Sequence, residues 1–127
     1  VAIAGDGAML MNSEVSTAVQ YGIPAVWIVL NDGRYNLCDQ GMAALGFEGI
    51  NATIPHTNFA LLARSMGAEG ICVEKESDLS AALEKAMAAT APFVVDVAID
   101  PTVPAPIGSR IKSLKHQGAG ESKGQKS

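Results

Sequence analysis

The stretch GDGAMLMNSEVSTAVQYGIPAVWIVLND, residues 5–32, decides the fold predicted for this 127-residue chain. It begins with a Gly-Asp-Gly turn directly after a short apolar run and ends on an Asn-Asp pair directly after a second run, AVWIVL. Two acidic side chains, Asp6 and Asp32, therefore stand 26 residues apart, each just past a strand-like segment. Whether the two carboxylates form one site or are separate loop residues depends on how the strands are arranged.

The opening stretch predicts a strand, a helix and a second strand. Residues 1–4 are predicted to form a short buried strand, and the continuous apolar run at 25–30 is typical of a parallel strand buried on both faces. Between them, Asn12 predicts the N-cap of a helix over about 13–21, and Gly22 predicts its end. The inward face of this helix is predicted to carry Met11, Val15, Ala18 and Val19.

The rest of the chain continues the alternation of helices and strands. Residues 31–51 predict a long loop, of a length that is usually functional or partly ordered, with a short helix at about 38–45. Trp27, Cys72 and Met87 are predicted core residues. The order of elements predicts an α/β fold, with a mainly parallel sheet and helices on both faces. The later elements are predicted as a helix at 58–66 capped by Thr57 or Asn58, a strand at 71–73, a helix at 77–89 capped by Ser77, and a last strand at 93–99.

Charge divides the chain into an acidic body and a basic end. Residues 1–107 carry twelve Asp and Glu against four Lys and Arg, which argues against nucleic acid as the main partner. Residues 108–127 carry five basic residues against one acidic residue, among Gly, Ser and Gln. This composition predicts a flexible solvated tail, with a binding arm as the alternative. We therefore expect one domain over 1–104 and a disordered basic tail over 105–127.

The cysteines and the apolar runs indicate the cellular compartment. Cys38 and Cys72 are widely spaced and form neither a metal-type pair nor a disulfide framework, so free thiols in a reducing compartment are expected. No apolar run reaches the roughly 18–20 residues that span a bilayer, so we expect no membrane partner and a cytoplasmic location. The chain opens directly on an apolar strand without Met, which predicts the C-terminal piece of a longer polypeptide.

The predicted topology makes Asp6 and Asp32 neighbours. Parallel strands joined by a right-handed crossover end on the same edge of the sheet, where open α/β sheets bind ligands. Carboxylates are ligands that Mg²⁺ prefers, Gly5 and Gly7 allow close backbone approach, and the N–H groups of Gly7 and Ala8 would suit a phosphate. A diphosphate bridged by Mg²⁺ is one interpretation, and ordinary loop residues are the other. The lack of G-x-G-x-x-G after the first strand counts against a third interpretation, a generic doubly wound nucleotide binder.

The segment GDGAMLMNSEVSTAVQYGIPAVWIVLNDGRYN, residues 5–36, resembles the thiamin-diphosphate-binding motif of thiamin-dependent enzymes. That motif begins with Gly-Asp-Gly and ends with Asn-Asn after a helix and an apolar strand. The resemblance continues through FALLARSMGAEGICVEKESDLSAALEKAMAATAPFVVDVAID, residues 59–100, and covers about residues 1–104. It is closest to the C-terminal cofactor domain of acetolactate synthase-like and 2-oxo-acid decarboxylase enzymes, and it implies the thiamin-diphosphate-binding fold of three layers.

The resemblance implies a role for each matching position. Mg²⁺ would be held by the side chains of Asp6 and Asp32 and by the backbone carbonyl of Arg34. Two departures are visible: Asp32 stands where the motif has its second Asn, and the segment around residues 11–14 is one residue shorter than in many members. The implied cofactor contacts are Gly5, Asp6, Gly7 and Ala8 around the diphosphate, Asp32 and Arg34 at the metal, and Tyr35, Asn36 and Leu37 along the cofactor beyond it.

The resemblance also implies an activity. In the family, the thiazolium carbon of the cofactor attacks the carbonyl of a 2-oxo acid and CO₂ leaves. Ligation of the acetolactate synthase kind is our first expectation, simple decarboxylation the second, and a non-catalytic domain kept for subunit association the third. The catalytic Glu of the family lies in an N-terminal domain of a partner subunit, and Glu14 is predicted to be a structural or capping residue. We therefore expect no catalytic residue in this chain, no activity of the fragment alone, and a homodimer or homotetramer as the intact enzyme.

Overall fold

The computed structural model describes residues 1–11, 13–47, 49, 51–103 and 112–113. The chain divides into two compact units, of which the first comprises Val1–Arg34 and Thr53–Pro101 and the second comprises Tyr35–Ala52 and Thr102–Ser127. The predicted boundary at residue 104 and nearly all of the predicted tail lie outside the described residues, so they stay predictions.

Within the described residues, the first unit contains four strands and four α-helices. The strands are β1 (Ala2–Gly5), β2 (Val26–Asn31), β3 (Glu69–Val73) and β4 (Phe93–Ala98). The helices of this unit are α1 (Asp6–Met9), α2 (Ser13–Tyr21), α4 (Phe59–Ser65) and α5 (Leu79–Ala88). The second unit contributes α3 (Asn36–Ala44) from the predicted long loop. Apart from α1, this order is the alternation that the sequence predicts.

The four strands form one parallel sheet in the order β1-β2-β4-β3. Strand β4, the last of the described strands, therefore lies between β2 and β3. Gly5 at the end of β1 pairs with Leu30 near the end of β2. Because these two neighbouring strands run in the same direction, the residues that follow them emerge at the same edge of the sheet.

Helices cover both faces of the sheet, which confirms the predicted three-layer α/β fold. Successive side chains of β4, such as Val94 and Val95, point to opposite faces. The helices α2 and α4 pack on one face around a core of Met9, Val15, Val29, Phe59, Ala63, Ala68 and Val94. Helix α5 packs on the other face around Val26, Val73, Ala82, Ala86, Phe93, Val95 and Val97.

The helix ends of the first unit follow local capping chemistry. Asn58 caps α4, as predicted, because its side-chain oxygen accepts a hydrogen bond from the Leu61 N–H at 2.7 Å. Gly67 follows the end of α4 with a φ of +91°, a conformation that favours glycine. The predicted Ser77 cap is wrong: a 3-10 turn over Glu76–Asp78 precedes α5, and Asp78 occupies the N-cap position. The predicted Asn12 cap lies outside the described residues.

Several predicted core positions are exposed instead. Strand β1 lies at one edge of the described sheet, so Ile3 is 70% exposed, and Cys72 is exposed on the other edge strand, β3. Met11 is exposed because it precedes α2 and lies in the turn after α1, and Met87 is exposed because it lies one residue past the inward stripe of α5. Trp27 is half-buried and packs against the core beneath α2 and α4. No helix among the described residues is long and apolar enough to span a membrane.

Candidate functional site

The Gly-Asp-Gly segment lies at the carboxyl end of β1. Gly5 is the last residue of β1 and Asp6 is the first residue of α1. The sequence predicts only a tight turn here, but the backbone forms one helical turn, in which the Leu10 N–H donates to the Asp6 carbonyl at 3.0 Å. This turn leaves the Asp6 side chain only 5% exposed.

The buried Asp6 carboxylate joins the two ends of the motif. Its Oδ1 accepts a hydrogen bond from the Gly7 N–H at 2.7 Å, and its Oδ2 accepts one from the Gly33 N–H at 2.8 Å. A buried carboxylate needs such donors, because an unpaired charge in a protein interior is costly. Since Gly33 directly follows Asp32, this contact fixes the segment after β2 beside the segment after β1, as the strand topology predicts.

The segment after β2 forms a tight turn. Asp32 Oδ1 accepts a hydrogen bond from the Arg34 N–H at 3.1 Å, which is an Asx-type turn. Gly33 has a φ of +67°, a conformation that side chains rarely adopt. The Gly33 carbonyl also accepts a hydrogen bond from the Ile54 N–H at 2.8 Å. The backbone at residues 32–34 is thus tied both to Asp6 and to the chain that leads into α4.

The chemistry of this edge fits a hydrated divalent cation and a phosphate. Within the described residues, no group of three or more His, Cys, Asp or Glu side chains is placed to hold a metal ion. A cation held by Asp6 and the half-buried Asp32 would therefore take its other ligands from backbone carbonyls, a phosphate or water, which is how Mg²⁺ is commonly held. A Cβ added at Gly5 would meet no atom within 4 Å, and Ala8 is exposed, so a ligand can approach the backbone beside Asp6.

The remaining predicted cofactor residues belong to the second unit. Tyr35 precedes α3, and its N–H donates to the Ala52 carbonyl at 2.8 Å. Asn36 opens α3, and its Oδ1 accepts a hydrogen bond from Gln40 Nε2 at 3.0 Å. Tyr35 and Leu37 expose roughly half of their side chains. Their place along the cofactor, like the ligand role of the Arg34 carbonyl, stays a prediction.

A second buried carboxylate, Asp96 of β4, lies next to the end of β2 and was not predicted as a site residue. Asp96 is 5% exposed, its Oδ1 accepts a hydrogen bond from Asn31 Nδ2 at 3.0 Å, and its Oδ2 accepts one from the Phe59 N–H at 2.8 Å. The sequence does carry a signal for it. One acidic residue within the apolar run FVVDVAI of a buried strand requires polar partners.

The Cys72 thiol borders the same cluster. Its Sγ lies 3.4 Å from Asn58 Oδ1 and 3.9 Å from Asp96 Oδ2. Partial desolvation of the sulfur raises the pKa of the thiol, and the nearby Asp96 charge raises it further, while the hydrogen bond to Asn58 opposes both. Because only the thiolate is a strong nucleophile, this environment makes Cys72 a poorly reactive cysteine at neutral pH.

Comparison with known proteins identifies the family. Residues 1–97 match the family model described as "Thiamine pyrophosphate enzyme, C-terminal TPP binding domain". The chain is 44% identical over 107 residues to the "Putative acetolactate synthase large subunit IlvB2" of Mycobacterium tuberculosis, which covers 84% of this chain and 19% of that protein. It is 30% identical over 105 residues to the benzoylformate decarboxylase of Pseudomonas aeruginosa, covering 76% of this chain and 19% of that protein.

A solved structure supports the same assignment. The thiamine diphosphate-dependent 4-hydroxybenzoylformate decarboxylase of Rhodococcus jostii RHA1 superposes with a TM-score of 0.72 at 31% identity, over 77% of this chain and 19% of that one. The chain thus spans only 19% of the length of these relatives. The matched region contains Asp6, Asp32 and the strands β1 and β2 that they follow. The chain belongs to the family of C-terminal thiamine-pyrophosphate-binding domains of thiamine pyrophosphate enzymes.

Proposed function

We propose that this chain binds thiamin diphosphate through Mg²⁺ as the C-terminal part of a thiamin-dependent enzyme that acts on 2-oxo acids. The observation that carries the proposal is the 2.8 Å hydrogen bond from the Gly33 N–H to Asp6 Oδ2. It brings together the two ends of the motif, and with them the two acidic residues whose oxygens suit Mg²⁺.

Asp6 has the capacity to hold the cation and the turn at once. A carboxylate offers about four lone-pair positions, and the hydrogen bonds from Gly7 and Gly33 use one on each oxygen. Asp32 and the Arg34 carbonyl are the proposed further protein ligands. The diphosphate would lie against Gly5, Gly7 and Ala8, of which Gly5 and Ala8 are exposed residues. The Gly7 N–H already donates to Asp6 Oδ1, so it is not the proposed phosphate donor.

Asp32 gives the site an additional negative charge. Without metal, the two carboxylates carry two negative charges, so the site repels a diphosphate more strongly than a site with one Asp and one Asn. Bound Mg²⁺ balances both charges. Diphosphate binding is therefore expected to depend steeply on Mg²⁺. The Arg34 guanidinium or Mg²⁺ in bulk solution would offset the additional negative charge of Asp32.

The proposed chemistry is divided between the cofactor and the protein. When bound, thiamin diphosphate supplies the electron sink for cleavage beside the carbonyl of a 2-oxo acid. This chain would hold and orient the cofactor, with Tyr35, Asn36 and Leu37 as proposed contacts beyond the metal. No residue of the chain is proposed as a catalytic acid or base, and Glu14 is an exposed residue in the first turn of α2. The chain alone is therefore expected to be inactive.

Ligation of the acetolactate synthase kind is the first proposed reaction, because the relative with 44% identity carries that name. Decarboxylation alone is the second, because the superposed structure is a decarboxylase. Product analysis of the intact protein with a small 2-oxo acid separates them: ligation yields a product with a new C–C bond, and decarboxylation yields an aldehyde. The intact protein is proposed to be a cytoplasmic homodimer or homotetramer.

Calorimetric titration of the intact protein with thiamin diphosphate tests the proposal. We expect saturable heat with Mg²⁺ and none without it, and loss of binding in Asp6→Ala. Glu69→Gln is the matched control, because Glu69 is exposed at the amino end of β3, on the opposite edge of the sheet. Absence of heat in both conditions would refute the proposal and favour a non-catalytic domain that serves subunit association.

A further inference from the structure

The side chain of Asn31, the last residue of β2, is held by two acceptors. Its Nδ2 donates to Asp96 Oδ1 and to the Thr57 carbonyl, each at 3.0 Å. Its backbone carbonyl accepts a hydrogen bond from the Ile99 N–H at 3.0 Å. An amide nitrogen has two hydrogens, so both are used. Asn31 is therefore fixed in position before the chain enters the turn at residues 32–34.

Burial of the Asp96 carboxylate at this position costs free energy. It is 5% exposed in the middle of the sheet, and its neighbours Val94 and Val95 are fully buried. A buried charge generally adds little stability, and a well-packed apolar residue often serves as well. Its two oxygens instead hold two specific groups, the Asn31 amide and the Phe59 N–H at the start of α4. The arrangement indicates a role in fixing local geometry.

Two buried carboxylates therefore hold the turn at 32–34 from its two sides. Asp6 holds it through the Gly33 N–H, and Asp96 holds Asn31, which directly precedes Asp32. We propose that Asp96 is a positioning residue for the Mg²⁺ site, acting through Asn31 on the turn that carries Asp32. This inference rests on the proposed function of that turn.

We expect loss of the hydrogen bond between Asp96 and Asn31 to weaken Mg²⁺ binding, although neither residue is a proposed ligand. In Asp96→Asn, the amide group cannot accept hydrogen bonds on both sides, so it turns a donor toward either Asn31 or Phe59. Substitutions of groups that orient metal ligands typically weaken metal binding about 10- to 100-fold. We expect the Mg²⁺ concentration for half-maximal thiamin diphosphate binding to rise about tenfold in Asp96→Asn and in Asn31→Ala.

The matched control is Val95→Ala. Val95 is the adjacent residue of β4, fully buried in the core under α5 on the opposite face of the sheet. Its truncation destabilises the same strand without touching Asn31. We expect Val95→Ala to lower the thermal midpoint at least as much as Asp96→Asn and to keep the Mg²⁺ dependence of the unmodified protein.

The experiment is calorimetric Mg²⁺ titration of the intact protein at saturating thiamin diphosphate, with the thermal midpoint measured for each variant. The double variant Asp96→Asn/Asn31→Ala is expected to bind Mg²⁺ no more weakly than either single variant, because both changes break the same connection between Asp96 and Asn31. Unchanged Mg²⁺ affinity in Asp96→Asn, or an equal loss in Val95→Ala, overturns the proposal. If Asp96→Asn does not fold, Asn31→Ala decides, and unchanged affinity there overturns the proposal as well. Absence of Mg²⁺-dependent binding in the unmodified protein instead defeats the proposed function, and the inference with it.

Discussion

Substitution of Gly70 by Ala tests how closely α4 must approach the sheet. Gly70 lies in β3, and a Cβ added there would stand 2.9 Å from Ala60 Cα and 3.0 Å from Ala60 C, and closer still to the Ala60 carbonyl oxygen. Ordinary contacts between carbon atoms are about 3.5–4.0 Å. All three obstructing atoms are backbone, so no side-chain rotation relieves the overlap, and α4 itself must move.

The cost of that movement follows from what α4 buries. Phe59, Ala60 and Ala63 are each 1% exposed, so a shift of the helix opens the core beneath it. Overpacking of a close-packed core typically costs about 1–3 kcal/mol. We expect Gly70→Ala to lower the free energy of unfolding by about 2–3 kcal/mol, near the upper end of this range, because backbone atoms and not a side chain must be displaced. The movement would also disturb the hydrogen bond from the Phe59 N–H to Asp96.

Urea unfolding followed by the fluorescence of Trp27, the only tryptophan in the sequence, measures this loss. Trp27 packs against the same core as α4, so its emission reports on the region that is perturbed. Gly41→Ala is the control: Gly41 lies inside α3 with no atom within 4 Å of the added Cβ, and helix propensity predicts a gain of up to about 1 kcal/mol. A loss below about 0.5 kcal/mol in Gly70→Ala would show that the close packing of α4 on β3 is not required.

Three further substitutions or reactions probe the site. Gly5→Ala should keep the thermal midpoint, because the added Cβ meets no atom, but should weaken thiamin diphosphate binding if the diphosphate lies there; unchanged affinity would place the diphosphate elsewhere. Asp32→Asn keeps a side-chain oxygen and loses one charge, so Mg²⁺ affinity should fall about tenfold, or about 1.4 kcal/mol, in calorimetry. An unchanged Mg²⁺ titration would argue that Asp32 is not a ligand. Cys72 should react slowly with iodoacetamide at pH 8 and faster as the pH rises, because its pKa is raised, and Asp96→Asn should accelerate it by removing one cause of the shift. Equal rates in both proteins would contradict that electrostatic cause.

The adjacency of Asp6 and Asp32 was predictable because it needs few assumptions. Apolar runs, caps and glycine stops indicate where the elements lie, and two parallel strands that pair must end on the same edge. The structure meets that condition, since Gly5 pairs with Leu30. Helix α4, its Asn58 cap and its Gly67 end follow from the same local patterns.

The strand order was not predictable, and it accounts for the wrong burial predictions in β1 and β3. A periodic pattern shows that a strand exists but not which strands flank it. The order β1-β2-β4-β3 makes β1 and β3 the edges of the described sheet, which exposes Ile3 and Cys72. The contact between Asp96 and Asn31 was not predictable for the same reason. The two residues are 65 positions apart in sequence and become neighbours only because β4 pairs with β2.

The short helix α1 was not predicted, for a different reason. A four-residue helix that contains a glycine has little intrinsic propensity, and its sequence is equally typical of a turn. It forms where the Asp6 carboxylate is buried and accepts hydrogen bonds from the Gly7 and Gly33 N–H groups. The Gly33 contact is tertiary and therefore not visible in the local sequence.

The position of the cation tests the central claim most directly. Crystals of the intact protein grown with thiamin diphosphate and Mn²⁺ in place of Mg²⁺ would locate the metal by its anomalous scattering. We predict one Mn²⁺ in coordination contact with the carboxylates of Asp6 and Asp32 and the carbonyl of Arg34, with the diphosphate completing its shell beside Gly5. A Mn²⁺ ion bound to the diphosphate but away from Asp6 and Asp32, or a cofactor bound elsewhere on the sheet, would contradict the account.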